Sequence, residues 1–287
     1  MTKKLRIILS LFLSIIIVFF TIILLGNFKI NITEYEYANE KIPTEFDNFK
    51  IVQLSDLHNR SFGKDQKRLI EKIKLLNPDI IVFTGDIVSR NDKNLHNAEV
   101  FIKEILKICP VYLVEGNHEK YCIEYMYMFR AFLSGCGVNV LRNESARIEI
   151  GDSFITICGM RNPVFDSSYG YDVVARQKTF KDWVKEMSDD SDDFKILLSH
   201  HPEYFDSYCK NGFDLTLTGH AHGGQVILPF IGGVFAPNQG FNPKYYAGEY
   251  TDGTHTMIVN RGLGNSTIFP RINNSPEIVS ITLKTKK

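Results

Sequence analysis

The chain has 287 residues, of which 44% are hydrophobic and 23% charged, and its 33 basic and 33 acidic residues give a formal net charge of zero. These proportions are those of an ordinary globular protein, so they exclude wholesale disorder, a collagen-like repeat and a membrane protein with many spans. Four basic residues and no acidic residue lie in the first 29 positions, which leaves the rest of the chain mildly acidic. An acidic remainder argues against binding of nucleic acid through bulk positive charge, and no nucleic-acid partner is expected.

The N-terminal segment has the length and composition of a membrane span. No charged residue occurs from Ile7 to Phe28, and twenty helical residues extend for about 30 Å, the thickness of the hydrocarbon core of a bilayer. The run is longer than the apolar region of a cleaved signal peptide and lacks a small-x-small cleavage site, so we favour an uncleaved signal-anchor over that alternative. Because Lys3, Lys4 and Arg6 precede the span, the sequence predicts a cytoplasmic segment 1–6, a transmembrane anchor 7–28 and an extracytoplasmic bulk.

Residues 29–45 are polar with scattered aromatic side chains and are predicted to form a juxtamembrane connector. Beyond them, short apolar runs alternate with segments of helical spacing. Strands are predicted at 50–54, 80–84, 111–114, 154–160, 195–200, 214–220, 255–260 and 277–283, and helices at 65–76, 95–108, 121–133 and 173–187. Strands that alternate with helices predict one α/β domain over residues 46–287, containing a parallel sheet, and we expect this domain to be a monomer.

Five of the predicted strands end in residues that can bind metal ions. The residues that follow these strands are Asp56 and His58, then Asp86, then Asn117, His118 and Glu119, then His200 and His201, and finally His220 and His222. Six of the eight histidines lie in these loops, and a glycine precedes Asp86, Asn117 and His220, where it allows a tight turn. Because ligands bind outside the carboxyl ends of strands in open α/β sheets, this pattern predicts one shared site.

The donor types indicate which ligand this site binds. Carboxylate, amide and imidazole groups without thiolates suit Mn, Fe, Zn or Mg. The five cysteines contain no CxxC pair, so a zinc ribbon or a thioredoxin-like site is not expected. There are too many candidate ligands for one tetrahedral zinc, and two ions about 3.5–4 Å apart that share one carboxylate fit better.

These blocks also resemble a known family. Asp56-x-His58, Gly85-Asp86, Gly116-Asn117-His118-Glu119, His200 and Gly219-His220-x-His222 are similar, in order and spacing, to the five blocks of the calcineurin-like metallophosphoesterase superfamily. The resemblance spans about residues 50 to 283. The extended GHAHGGQ block (219–225), then LPFIGG and RGLGNS (261–266), resemble a bacterial branch of membrane-tethered or exported phosphodiesterases of the YaeI type.

The resemblance implies a two-sheet β-sandwich flanked by helices and a role for each residue of the blocks. One divalent ion (Mn, Fe or Zn) would be held by Asp56, His58 and His222. A second would be held by Asn117, His200 and His220, and Asp86 would bridge the two ions. His118 would be the catalytic histidine that stabilises or protonates the leaving oxygen. Glu119 stands where the family more often has Asp, and it could orient the His118 ring.

Three further features have two interpretations each. Arg60 could contact the phosphate of a substrate or be a surface charge. His201 could line the substrate site or be structural, because neighbouring side chains of an extended backbone point opposite ways and only one of the adjacent histidines can reach the same ion. The aromatic stretch 241–250 could line a lipid-facing groove or form a β-hairpin with ordinary core aromatics.

The sequence therefore predicts a membrane-anchored dinuclear phosphoesterase that cleaves phosphodiester or pyrophosphate bonds by attack of a metal-bridging hydroxide. Only the anchor suggests that the substrates are lipid-linked or belong to the cell envelope. One alternative is a phosphomonoesterase or nucleotide phosphodiesterase that acts on soluble substrates. Another is a membrane-tethered metal-binding scaffold without catalysis, against which His118 argues, because a scaffold has no need of an acid beside the metal ions.

Overall fold

The structure, a computed structural model, describes residues 2–90, 92, 94–121, 123–162, 180–188, 191–267 and 269–286. Its helices are α1 (Lys3–Phe28), α2 (Lys67–Leu76), α3 (His96–Ile105), α4 (Asn117–Tyr121), α5 (Ile123–Gly135), α6 (Phe180–Met187) and α7 (Phe205–Lys210). Its strands are β1 (Asn31–Asn39), β2 (Lys50–Leu54), β3 (Ile80–Thr84), β4 (Val111–Val114), β5 (Asn139–Val140), β6 (Glu144–Ile150), β7 (Ser153–Gly159), β8 (Lys195–Leu198), β9 (Leu215–Thr218), β10 (Ile227–Leu228), β11 (Gly232–Gly233), β12 (Phe235–Ala236), β13 (Gly240–Phe241), β14 (Gly248–Asp252), β15 (His255–Val259) and β16 (Glu277–Thr285).

Most strands lie in two six-stranded sheets that pack face to face. The first sheet has the order β1-β16-β2-β3-β4-β5, and the second has the order β14-β15-β9-β8-β7-β6. In the centre of each sheet the strands are parallel, as expected when helices cross between them. This arrangement confirms the predicted two-sheet α/β fold, and all eight predicted strands are present.

The apolar pattern of the sequence accounts for three layers of core. Val82, Leu198 and Leu217 belong to the core between the sheets, while α2, α3 and α5 cover the outer face of the first sheet and α6 and α7 cover that of the second. Every residue of β3 is buried, because both faces of its sheet are covered. Of the helix predicted at 173–187, only the part from Phe180 onward lies within the described residues.

The prediction that the first strand begins at residue 50 is wrong. The segment assigned to the connector contains β1, which pairs in parallel with β16 along nine residues. Within β1 the glutamates are exposed, whereas Tyr35 and Tyr37 pack against the core between the sheets. This alternation with period two is typical of a strand with one exposed face, and β1 lies at the edge of its sheet. The charged residues of β1 make it resemble a polar loop in the sequence.

The N-terminal helix is long and apolar enough to cross a membrane, a test that a signal sequence also passes. Its end is attached to the rest of the protein by hydrogen bonds. The Asn27 side chain donates to the Arg271 carbonyl over 2.7 Å and accepts from the Arg271 N–H over 3.1 Å. Arg60 donates to the Asn27 carbonyl, and Arg68 donates to the Phe28 carbonyl. The C-terminal end of α1 is therefore fixed to the domain.

Candidate metal centre

Side chains from both sheets meet at one edge of the sandwich. The first sheet contributes the residues that follow β2, β3 and β4, and the second contributes those that follow β8 and β9. Six predicted ligands are buried there, namely Asp56, His58, Asp86, His200, His220 and His222. The seventh, Asn117, lines a cavity over these residues. The structure therefore brings together all the residues that the sequence analysis predicted as metal ligands.

The first group consists of Asp56, His58 and His222. The Nε2 atoms of the two imidazoles lie 3.2 Å apart, and Asp56 Oδ1 lies 3.5 Å from His222 Nε2 and 3.9 Å from His58 Nε2. Two donors that bind one ion at about 2.1 Å and roughly at a right angle lie about 3 Å apart, so these separations suit a shared ion.

The second group consists of Asp86, His200 and His220. His200 Nε2 lies 3.1 Å from His220 Nδ1 and 3.3 Å from Asp86 Oδ2. The other nitrogen of His200 lies 2.7 Å from the Thr84 carbonyl, which fixes the orientation of the ring. Asp86 Oδ2 is also 3.8 Å from His58 Nε2, so this carboxylate stands between the two groups.

Burial and charge set the protonation of these side chains. Burial lowers the pKa of His58 to about 3 and lowers those of His220 and His222 well below the ordinary value, so these rings are neutral and can act as ligands. Burial opposes a charge on His200 as well, but the Asp86 carboxylate raises its pKa to about 10. A cation that binds between Asp86 and His200 would therefore displace a proton from His200.

Two buried oxygens provide a test of whether metal ions fit. Asp56 Oδ1 and Asn117 Oδ1 are buried without a hydrogen-bond partner. A buried polar atom without a partner is costly, and one cation at each oxygen would satisfy it. Together with the four imidazoles and Asp86, they supply the oxygen and nitrogen donors that first-row divalent ions take. The residues present therefore fit two divalent cations.

The backbone around the ligands is unusual. Asp56, His58, Asp86, His220 and His222 all have a left-handed backbone, with φ between 48° and 66°. Non-glycine residues rarely adopt this conformation, and it concentrates at functional sites. At Gly219 the loops approach so closely that an added Cβ would lie 1.9 Å from Ser55 Oγ, so the sequence needs glycine there.

His118 faces the cavity, whereas Glu119 does not orient it. The His118 Nε2 atom lies 4.0 Å from Asp86 Oδ2, and its Nδ1 accepts a hydrogen bond from the Arg90 N–H. The Glu119 carboxylate accepts instead from four backbone N–H groups, those of Asp86, Ile87, Val88 and Gly116. The hypothesis of a His118–Glu119 pair is therefore wrong, because the side chain of Glu119 is fully used in joining two loops.

The contacts of Arg60 and His201 also differ from those expected of substrate-binding residues. The Arg60 guanidinium donates to the carbonyls of Leu263 and Asn27 and is not part of the cavity wall. His201 is buried, with its ring nitrogens 2.8 Å from Glu203 Oε1 and 2.9 Å from Asn162 Nδ2. These contacts favour the alternative interpretation of His201 as a structural residue.

The cavity over the metal ligands has a volume of about 460 Å³. Its wall includes residues that the sequence analysis did not select, namely Ser89, Arg90, Pro237, Ser266 and Thr267. Ser89 and Arg90 follow the Gly85-Asp86 block by only a few residues, and Ser266 ends the RGLGNS block. Their position next to these motifs is the sequence feature that could have identified them. No such signal marked Arg271, a buried residue whose Nη2 lies 3.2 Å from His222 Nδ1.

Comparison with known proteins places this site in a family context. Residues 49–224 match the family described as calcineurin-like phosphoesterase. The chain is 32% identical over 260 residues to the uncharacterised metallophosphoesterase YkuE of Bacillus subtilis, covering 89% of this chain and 86% of that one. It is 26% identical to the phosphodiesterase YaeI of Escherichia coli, covering 82% of each chain. It is also 28% identical to a zebrafish transmembrane protein with a metallophosphoesterase domain, covering 88% of this chain and 57% of that one.

Proposed function

Because this chain belongs to the calcineurin-like phosphoesterase family and is a metal-dependent phosphoester hydrolase, we propose that it is a dinuclear phosphodiesterase held at a membrane by α1. The observation that carries the proposal is the pair of buried ligand groups, one of which contains Asp86 while the other lies next to its carboxylate. When bound, two divalent ions supply positive charge and lower the pKa of a bound water molecule to near neutrality.

The chain supplies the ligands and a hydrogen-bond donor. Asp56, His58 and His222 would hold one ion. Asn117, His200 and His220 would hold the other, with Asp86 shared. His118 lies at the cavity wall outside both sets, where it can reach an oxygen of a phosphoester bound against the ions.

The contacts of His118 indicate what it does for that oxygen. An N–H group can only donate, so the Arg90 N–H makes Nδ1 of the His118 ring an acceptor. Burial lowers the pKa of His118, so the ring is neutral and its one proton lies on Nε2, on the side of the cavity. His118 would therefore donate a hydrogen bond to a phosphoryl oxygen, and it would not transfer a proton to the leaving group.

Substrate class and orientation rest on the helix and the relatives. The YaeI relative is named a phosphodiesterase, which favours diesters over monoesters. Basic residues before α1 favour a cytoplasmic N-terminus and an extracytoplasmic catalytic domain. In that case protease added to intact spheroplasts would digest the domain, whereas survival of the domain until lysis would place it in the cytoplasm.

Hydrolysis of bis-para-nitrophenyl phosphate, measured with metal content on the same sample, tests the proposed function. The full chain supplied with Mn²⁺ should bind two ions and cleave the diester faster than para-nitrophenyl phosphate. Asp86→Ala should lose ions and activity together. His118→Ala should keep both ions and lose about 100-fold to 1,000-fold in kcat, as expected for loss of one hydrogen-bond donor to developing charge. His96→Ala, on the exposed start of α3, is the matched control and should change neither quantity.

Three results would contradict parts of this proposal. One ion per chain at saturation would exclude the dinuclear site. Faster cleavage of the monoester would favour a phosphomonoesterase. Binding of two ions without hydrolysis of either ester would favour a metal-binding scaffold.

A further inference from the structure

A group of exposed apolar side chains lies beside the candidate metal centre. Outside α1, ten large apolar side chains of the described residues are exposed, and six of them fall in residues 228–241 or at Phe269. We call these six the apolar rim: Leu228, Phe230, Ile231, Phe235, Phe241 and Phe269. Phe230 at the tip of the β10–β11 hairpin has its whole side chain in solvent, and Phe241 is 81% exposed. Such a concentration of apolar surface marks an interaction site.

The segments that carry the rim contain no charge. The 19 residues from Gln225 to Pro243 include no Asp, Glu, Lys or Arg, and neither do residues 262–270. Exposed loops of a water-soluble surface ordinarily carry charged residues, whereas charged side chains are costly at the depth of lipid acyl chains. The composition therefore suits contact with an apolar phase.

Hydrogen bonds connect the rim to the end of α1. Asn27 and the Arg271 backbone exchange two hydrogen bonds, and the next residue, Ile272, accepts from the Ile227 N–H at the start of the β10–β11 hairpin. The Phe269 carbonyl, two residues before Arg271, accepts from the Gln225 side chain. Four Cα–Cα steps of 3.8 Å and two hydrogen-bonded contacts separate the two residues along this path, so Phe230 lies within roughly 27 Å of Asn27. Ile23, one turn inside α1, is only 7% exposed, so the domain extends along the last turn of the helix.

The same segments border the cavity. Pro237 follows β12, Ser266 and Thr267 precede Phe269, and all three line the cavity over the metal ligands. We propose that the apolar rim inserts into the bilayer surface from which α1 emerges, so that the candidate metal centre opens toward the phosphate groups of membrane amphiphiles. The proposal rests on the membrane anchoring included in the proposed function. It commits to a phospholipid surface because the rim is continuous with the end of the membrane helix.

Tryptophan fluorescence in vesicles tests the proposal on the full chain. The protein is reconstituted into phosphatidylcholine vesicles in which part of the lipid carries bromine on its acyl chains, which quenches tryptophan at that depth. Trp183, the one native tryptophan, is replaced by Phe, and single tryptophans are introduced by Phe230→Trp and Phe269→Trp in the rim. Phe12→Trp reports on α1. Leu75→Trp is the matched control, because Leu75 is 83% exposed but lies at the end of α2, at the sheet edge opposite the metal ligands.

We expect Phe12→Trp and both rim variants to lose most of their emission in brominated vesicles, and Leu75→Trp to lose none. If the rim variants are not quenched but Phe12→Trp is, the proposal would be overturned and the membrane anchor would still stand. An unquenched Phe12→Trp would remove the anchoring itself and the proposal with it. Blue-shifted but unquenched rim emission would show that protein, such as a second copy of this chain, covers the rim. Equal quenching of Leu75→Trp would also overturn the proposal, since contact would not be confined to the rim. Hydrolysis of bis-para-nitrophenyl phosphate in detergent reports on the chemistry independently.

Discussion

Replacement of Glu119 by glutamine separates two explanations of why this residue follows His118. Glu119 Oε2 accepts from the N–H groups of Asp86 and Gly116 over 3.0 and 2.7 Å, and Oε1 accepts from those of Ile87 and Val88 over 2.7 and 3.3 Å. Glu119→Gln keeps the shape of the side chain but turns one of these oxygens into an NH₂ group. That group would face two N–H donors.

The size of the effect follows from this count. Glutamine leaves two buried N–H groups without an acceptor, and each costs about 1–3 kcal/mol. Burial and the nearby Asp86 carboxylate raise the pKa of Glu119 to about 8, because a charge is costly there. Removing that charge offsets part of the loss, so we expect the free energy of unfolding to fall by about 3 kcal/mol. The loops that Glu119 joins carry Asp86 and Asn117, so the retention of metal ions should fall as well. If Glu119 only oriented His118, its replacement would lower kcat and leave the free energy of unfolding and the metal content unchanged.

Urea unfolding in detergent, with the midpoint and slope compared between variants, measures the first quantity, and elemental analysis measures the second. Glu71→Gln is the control, since Glu71 lies on the exposed face of α2 with a 3.7 Å ion pair to Lys67. That pair should contribute less than about 1 kcal/mol. An unfolding free energy for Glu119→Gln within about 0.5 kcal/mol of the native value, with full metal content and reduced kcat, would refute the interpretation of Glu119 as a brace between loops.

Three further predictions concern the frame of the site and its ions. Gly85→Ala should lower the free energy of unfolding by more than about 3 kcal/mol, because the new Cβ would lie 2.6 Å from His200 Nδ1. The control Gly137→Ala has nothing within 4 Å of the new Cβ and should show only the backbone strain of about 1 kcal/mol. Equal losses in the two variants would contradict this explanation. Arg271→Lys should lower the urea midpoint, because lysine cannot replace the three guanidinium contacts to the carbonyls of Gly264 and Arg261. Arg147→Lys, at an exposed position of β6, is the control and should leave the midpoint unchanged. Removal of metal ions by a chelator should lower Tm by on the order of 10 °C, reversibly on addition of Mn²⁺, and an unchanged Tm would argue against tight binding at this site.

The sequence predicted those parts of the fold in which local pattern and tertiary environment agree. The segment 80–84 is wholly apolar and is a strand buried on both faces. The spacing of Leu69, Ile70, Ile73 and Leu76 matches the buried face of α2, and Asn77 ends that helix in a left-handed conformation. In these segments the burial pattern follows directly from the residue types.

The missed parts depend on partners that are distant in sequence. β1 is stabilised by β16, which lies more than 240 residues away, and its alternating glutamates hide the pattern of an edge strand. In the stretch 241–250 the interpretation as ordinary core aromatics describes part of the structure. Tyr245 and Tyr250 pack in or against the core that covers the second sheet, while Phe241 is exposed in the β12–β13 hairpin.

The site shows the same division. Residue types and strand ends were enough to select the metal-ligand candidates, because carboxylates and imidazoles are rarely buried without a purpose. The role of Glu119 could not be predicted, since its four N–H donors come from two loops whose approach only the fold defines. Arg271 was likewise invisible, because its position beside His222 depends on the packing of the segment that also contacts α1.

The distribution of ligands between the sheets links metal binding to the stability of the whole sandwich. Asp56 and Asp86 extend from the first sheet, whereas His200, His220 and His222 extend from the second. Each of the two ligand groups contains members from both sheets, so an ion in either group would join the sheets at the edge where the loops are strained. Five ligands with a left-handed backbone each cost on the order of 1 kcal/mol, and the orphaned oxygens of Asp56 and Asn117 add to that cost. The binding free energy of the metal ions would offset this cost at the same edge of the sandwich, so the ions should stabilise the fold of this protein as well as take part in its chemistry.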